Sequence, residues 1–272
     1  MKIAVVAPSC RLKPEAAVTV AEIVARRGDC EVVVHPQCFL SNGHFAGSDP
    51  ERLTALREVM ADSSVDAVWF ARGGYGSNRI AEAAVAELPE AARGKTYLGY
   101  SDAGFLLAAF HRAGLKVAHG PMPQDVLRNG GEAAVERALD WLVRRDAAAL
   151  EPGLMAGRRA LAFNLRVLTH ILGTPIEPDF AGAELLIEDV AEYDYSVDRM
   201  MFHLVGNAAV RQCAGLRLGR FSDIPDNDPP FGRDARAIVE EWCARAGIAF
   251  RGGADIGHDA ANRVVPFSLD MD

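Results

Sequence analysis

Thr96-Tyr97-Leu98-Gly99-Tyr100-Ser101-Asp102-Ala103-Gly104 runs out of an apolar strand over Thr96–Tyr100, turns, and opens a helix over Asp102–Arg112. A serine presented on so sharp a strand-to-helix turn needs small residues two places before it and two places after. Gly99 and Ala103 meet that need, with Ala in place of the usual second Gly. Such a turn sets Ser101 Oγ at the edge of a sheet. It also aims the Asp102 backbone N–H, helped by the helix N-terminus, at a developing oxyanion. The same spelling suits a serine that merely caps its helix, and the segment alone leaves both readings open.

On either side the chain repeats this alternation. Strands read at Lys2–Val6, Glu31–His35, Val65–Ala71 and Lys116–Ala118. Between and after them come helices at Pro14–Arg27, Pro50–Ala61, from about Asn78, and at Gly131–Arg145. That order predicts a parallel sheet covered on both faces, with ligands gathered at the carboxyl ends of its strands. Asp146–Gly157, with Pro, Gly and weak periodicity, reads as a linker. Beyond it the pattern gives a helix near Leu161–Leu172, a strand at Glu184–Glu188 and a helix from about Val197. A strand at Gly215–Arg220, a helix at Asp234–Ala246 and short strands after Ile248 complete it. The expected class is α/β: an N-terminal parallel-sheet domain with flanking helices (residues 1–145), a linker (146–157) and a smaller C-terminal α/β domain (158–272), with the active site at their junction.

The net charge of −8 argues against a nucleic-acid or anionic-membrane partner. No apolar run approaches the roughly 18 residues that would span a bilayer. The opening apolar stretch meets Pro8 too soon for a signal peptide. Five cysteines without C-x-x-C spacing suggest neither a disulfide framework nor a zinc knuckle. H-E-x-x-H and G-x-G-x-x-G are absent, and the glycine loop after Ala71 lacks the G-K-[ST] of a Walker loop, so no metal or cofactor is expected. These features lead to a reduced, cytoplasmic protein, for which a homodimer is admitted but not required.

A second chemical signal is Ala71-Arg72-Gly73-Gly74-Tyr75-Gly76-Ser77. Glycines directly after a buried strand let backbone approach a ligand, and successive N–H groups there can form an anion nest or supply an oxyanion donor. A plain turn before a helix is the competing reading. Among the histidines, His258 lies in a polar, glycine-containing loop, Ala254-Asp255-Ile256-Gly257-His258-Asp259, from which an imidazole can reach a cleft. His119, at a strand end, is a second candidate to line the site, whereas His35, His111, His170 and His203 read as structural or surface residues. An acid to orient the base could come from Glu188 or Asp189, which alternation sends to opposite sides of one strand.

Taken together, these segments resemble the LD-carboxypeptidase family of serine peptidases, which includes muramoyltetrapeptide carboxypeptidase and the microcin C7 self-immunity protein. The resemblance spans almost the whole chain. It runs through Ala7-Pro8-Ser9, the Arg72–Gly76 loop, Gly99-Tyr100-Ser101-Asp102, His119-Gly120-Pro121-Met122, Asn164-Leu165 and Leu172-Gly173-Thr174. Ile187-Glu188-Asp189, Asp198-Arg199 and Gly257-His258 complete it. It implies Ser101 as nucleophile, with Glu188 as acid and His258 as base supplied by the C-terminal domain. It also implies oxyanion donors at the backbone of Gly74 and Asp102. The implied substrate is a murein tetrapeptide that loses its terminal D-alanine; Arg72, Gly73 and Tyr75 are the candidates to bind it. Two departures stand out: Ala162-Phe163 replaces the family's Gly-Gly before Asn164, and Met155–Arg159 lacks the Trp associated with immunity-type members. The missing Trp favours a cell-wall carboxypeptidase over a microcin hydrolase. A hydrolase of another amide, such as an aminoacyl-nucleotide, and a non-catalytic small-molecule binding protein are the alternatives.

Overall fold

The computed structural model describes residues 1–268. Its elements are β1 (Lys2–Val6), α1 (Pro14–Arg27), β2 (Glu31–Val34), α2 (Asp49–Ala61), β3 (Ala67–Phe70), α3 (Ala81–Ala86), β4 (Thr96–Gly99), α4 (Gly104–Arg112), β5 (Lys116–His119) and α5 (Gly131–Arg144). Then follow β6 (Ala160–Asn164), α6 (Leu165–Ile171), β7 (Glu184–Val190), α7 (Asp194–Gly206), β8 (Gly215–Ser222), α8 (Ala235–Ala246), β9 (Phe250–Gly253) and β10 (Val265–Pro266). The first sheet has the order β10-β5-β4-β3-β1-β2 and the second β6-β7-β8-β9. The pairs are parallel except β10 against β5. The expected class therefore stands: α/β, with a parallel-sheet N-terminal domain and a smaller parallel sheet in the C-terminal one. Strand order reverses beside β1 and β3, which places a crevice at their carboxyl ends.

β1, β3 and β4 are continuous apolar runs because a sheet covered on both faces has no solvent side to alternate with. α2 starts where Ser48 and Glu51 form a reciprocal capping box. The predicted helix over Leu161–Leu172 is in part a strand. β6 is buried at every position, and a short buried run has no periodicity to separate strand from helix. The helix begins only at Leu165, where Asn164 Oδ1 accepts from Val167 N at 3.1 Å.

The two sheets share one core. α4 is buried from Gly104 to Phe110, on every side, as a helix with no polar face must be. It packs against β4 and β5 of the first sheet and against α6 of the second. A Cβ on Gly104 would stand 3.0 Å from Val167 and 3.4 Å from Phe163, so this glycine lets α4 reach the second unit. At its other end, the chain crosses back: residues 265–266 add to the first sheet beside β5.

The segment expected to link the domains is itself anchored. Glu151, 2% exposed, accepts from Arg217 Nη1 at 2.6 Å and Nη2 at 2.7 Å, and from the backbone N–H of Gly153 and Asp255. Truncating Glu151 leaves the Arg217 guanidinium with Gly253 O and a longer, 3.9 Å contact to Glu184, at a cost of up to about 3–5 kcal/mol. Glu151→Ala is accordingly expected to lower the melting temperature followed by circular dichroism. An unchanged melting temperature would show that this pair does not hold the segment.

Candidate active site

Ser101 follows Tyr100, whose backbone is extended, and itself adopts φ +58°. A left-handed residue with a side chain costs on the order of 1–3 kcal/mol and persists only where the surroundings impose it. Here they do. A Cβ on Gly99 would stand 2.8 Å from the Phe70 side chain and 3.2 Å from the Ala103 Cβ. One on Gly73 would fall 2.8 Å from both Cβ and Oγ of Ser101. Small residues at 73, 99 and 103 thus leave room for the turn that lifts the serine off the end of β4.

The other two residues come from the second half of the chain. Glu188 lies in β7, fully buried, and His258 lies in the loop between β9 and β10. His258 Nδ1 is 2.6 Å from Glu188 Oε2, and Nε2 is 2.9 Å from Ser101 Oγ. With Glu188 accepting the Nδ1 proton, Nε2 is left to accept from the serine hydroxyl. Burial works against an imidazolium here. The Glu188 charge and hydrogen bond, with help from Asp189, outweigh it and hold the His258 pKa above its ordinary value, against an opposing contribution from Arg128.

Alternation along β7 separates the two acids that the sequence left undecided. Glu188 meets His258, while Asp189 turns toward α6. Its Oδ1 accepts from Asn164 Nδ2 at 2.7 Å and its Oδ2 from Arg166 N at 3.0 Å. Burial first, and the neighbouring Glu188 charge second, push the Asp189 pKa up to about 7 despite those bonds.

The glycine loop is fastened to the serine turn through Asp102. Its Oδ2 accepts from Ser77 N at 2.8 Å and from Ser9 Oγ, while Ser77 Oγ donates to the Asp102 carbonyl. Burial raises the Asp102 pKa, with the Ser9 and Ser77 bonds pulling the other way. Beneath the loop, the buried Arg52 guanidinium donates to Gly76 O at 2.8 Å. Gly74 has φ +109° and approaches Cys10 so closely that a Cβ would lie 2.4 Å from its Sγ. Only glycine fits there.

Ser101, Asp102, Gly74 and Tyr75 line a cavity of about 680 Å³ whose far wall is formed by Asn164, Arg166, Asp189 and Glu192. Tyr75 stands at its mouth with its ring 5.9 Å from Phe45. Gly73 backs Ser101 rather than lining the cavity. Arg72 is not in the cavity wall; its Nη1 donates to Arg11 O at 3.4 Å. The guanidinium in the wall is Arg166, paired with Glu192 and 3.3 Å from Ser196 Oγ. The sequence does not single out Arg166, because the apolar run before it has no strand period and the whole stretch reads as one helix. The strand-to-helix junction at Asn164 was the signal that could have found it. His119 does not line the cavity either. It is buried, donates from Nε2 to Asn262 Oδ1 at 3.2 Å, and is held neutral because burial pushes its pKa down to about 4.

Residues 3–120 match the LD-carboxypeptidase N-terminal domain and residues 159–272 the LD-carboxypeptidase C-terminal domain. A putative carboxypeptidase of Synechocystis sp. is 31% identical, the match covering 97% of this chain and 88% of the relative. A probable murein peptide carboxypeptidase of Bacillus subtilis is 32% identical, covering 83% of this chain and 74% of the relative. The chain also superposes on the crystal structure of a muramoyltetrapeptide carboxypeptidase from Oxalobacter formigenes. There the TM-score is 0.83 and the identity 24%, over 98% of this chain and 93% of the other, a likeness that speaks for the fold. Matched in both of its domains by the family models and along most of its length by these relatives, the chain belongs to the LD-carboxypeptidase family of peptidases.

Proposed function

We propose that this peptidase is of the serine type and releases the terminal D-alanine of murein tetrapeptides by hydrolysing the L,D amide bond. The observation that carries the reading is the relay from Ser101 through His258 to Glu188, with contacts of 2.9 and 2.6 Å. On this reading His258 Nε2 takes the hydroxyl proton as Ser101 Oγ attacks the amide carbonyl, and Glu188 stabilises the imidazolium that forms. Backbone N–H groups of Gly74 and Asp102 stabilise the tetrahedral oxyanion, each donor worth about 3–4 kcal/mol. The imidazolium then gives its proton to the leaving amine, and water releases the acyl group by the same relay. The substrate's terminal carboxylate calls for a cation or an N–H nest. Arg166 and the Gly74 backbone are better placed than Arg72, because both stand in the cavity wall. The murein specificity draws support from the names of the relatives. Such a substrate is a cell-wall recycling fragment, which puts the reaction in the cytoplasm. No helix among the described residues is long and apolar enough to cross a membrane.

Incubating the protein with a murein tetrapeptide, followed by mass spectrometry, should reveal loss of a single alanine. An intact tetrapeptide together with cleavage of an aminoacyl-nucleotide amide would move the alternative substrate ahead. Ser101→Ala and His258→Ala are each expected to lower kcat by about 10⁴–10⁶, the double variant being hardly worse, because such residues act as a unit. A folded Ser101→Ala protein that keeps its rate would remove the serine mechanism.

The pH dependence has a definite sign. Only neutral His258 can accept the proton, and Glu188 favours the charged form. The acid limb of kcat/KM should therefore lie above about pH 6.5, the ordinary imidazole value. Glu188→Gln should move it downward while lowering kcat; a limb that stays in place would separate Glu188 from the base.

Recognition of the terminus is the remaining expectation. A hydrogen bond to a charged group is worth about 1.5–3 kcal/mol. Amidation of the D-alanine carboxylate should thus reduce kcat/KM on the order of 10²-fold, more than shortening the sugar end does. Equal rates for the acid, the amide and the L-alanine epimer would mean that the terminus is not read.

A further inference from the structure

The loop that carries His258 runs from β9 to β10 without regular structure of its own, so something else must hold the imidazole in line. Arg128 sits just past the turn formed by Pro123–Leu127. Its Nη1 donates to the His258 carbonyl at 2.7 Å and its Nε to Asp125 Oδ1 at 2.9 Å. The same Asp125 Oδ1 accepts from Tyr100 Oη at 2.8 Å, and Asp125 Oδ2 accepts from Met122 N at 2.8 Å. Tyr100 is the residue before Ser101, and its ring centroid lies 4.9 Å from that of His258. Asp125 and Arg128 therefore connect the turn that presents the serine to the loop that presents the histidine, by a route that avoids Glu188.

We propose, resting on the assignment of His258 as general base, that Arg128 is a positioning residue for the reaction, fixing the backbone of His258 relative to Ser101 through Asp125 and Tyr100. Arg128 touches neither Ser101 nor the cavity wall, so it acts only through the residues it holds, His258 and Asp125. Its charge gives the role a second signature. Facing His258 are Glu188 and Asp189 from β7, the neutral His119 from β5, the Tyr100 phenol from the end of β4, and Arg128 with its partner Asp125. On the loop itself, Asp255 and Asp259 are both engaged by Arg220. Within this set Arg128 is the cation that opposes the imidazolium.

The experiment measures kcat, KM and the pH profile of the full chain on a murein tetrapeptide for Arg128→Gln and Arg128→Lys, with Ser101→Ala in parallel. The Arg128 side chain is 41% exposed, so the glutamine variant leaves no core cavity, and the buried Asp125 keeps the bonds it accepts from Tyr100 Oη and Met122 N. Misplacement of a reacting group on the ångström scale costs up to about 10²-fold. For Arg128→Gln, kcat should fall by roughly 10–10²-fold with KM little changed, and the acid limb should move to higher pH as the opposing charge is lost. Arg128→Lys keeps the charge and should return the limb to its parental position with part of the rate. Wild-type kcat in Arg128→Gln, or a loss of rate with the limb unmoved, would overturn the positioning role while leaving the serine mechanism in place. If the glutamine variant fails to fold, a wild-type rate in Arg128→Lys combined with one in Tyr100→Phe overturns it instead. Turnover by Ser101→Ala would overturn both this role and the reading beneath it.

Discussion

A helix with no polar face can be stable only between two layers, and α4 is such a helix. Its burial from Gly104 to Phe110 obliges the second sheet to close over it. That closure sets the distance between Ser101, which stands one turn ahead of α4, and Glu188 and His258, which belong to the other unit. A relay with hydrogen-bond lengths of 2.6 and 2.9 Å tolerates little sliding between sheets, and close-packed interiors resist such sliding. The Glu151–Arg217 pair and the return of β10 to the first sheet add further ties across the same boundary.

Around that frame, polar groups are placed where they constrain backbone rather than where they add much net stability. Asp102 fastens the glycine loop to the serine turn, Asp189 fastens the start of α6 to β7, and Asp125 with Arg128 fastens the histidine loop to the residue before the serine. Each is a carboxylate that joins segments distant in sequence. Burial raises the pKa of Asp102 and Asp189. A carboxylate so placed opposes its own ionisation, and the local N–H and O–H donors are what make it tolerable.

Much of this is legible in the sequence. The alternation of strand and helix in the first half announces a parallel sheet, and Gly99, Ser101 and Ala103 announce the turn at its edge. Where the reading failed, the physics is plain. Ala160–Asn164 is buried at every position, so its apolar run carried no period and passed for helix, hiding Arg166 behind it. The choice of Arg72 followed from nearness in sequence to the glycines. The chain turns that side chain toward Arg11 instead, a tertiary outcome no local pattern encodes. Glu188 and Asp189 could not be ranked by alternation alone. Their sides are decided by what each side faces, and that requires both His258 and α6 to be in place.

The loop bearing His258 is tethered to a different sheet at each end, by β9 in the second and by β10 in the first. In chain order the serine comes first, the acid next and the histidine after both. During synthesis the N-terminal sheet can condense around Ser101 while the remainder is still being made. The relay then lacks its histidine until residues on both sides of the loop have found their strands. On the proposed chemistry, the nascent polypeptide is therefore a silent protease, switched on only when its architecture closes.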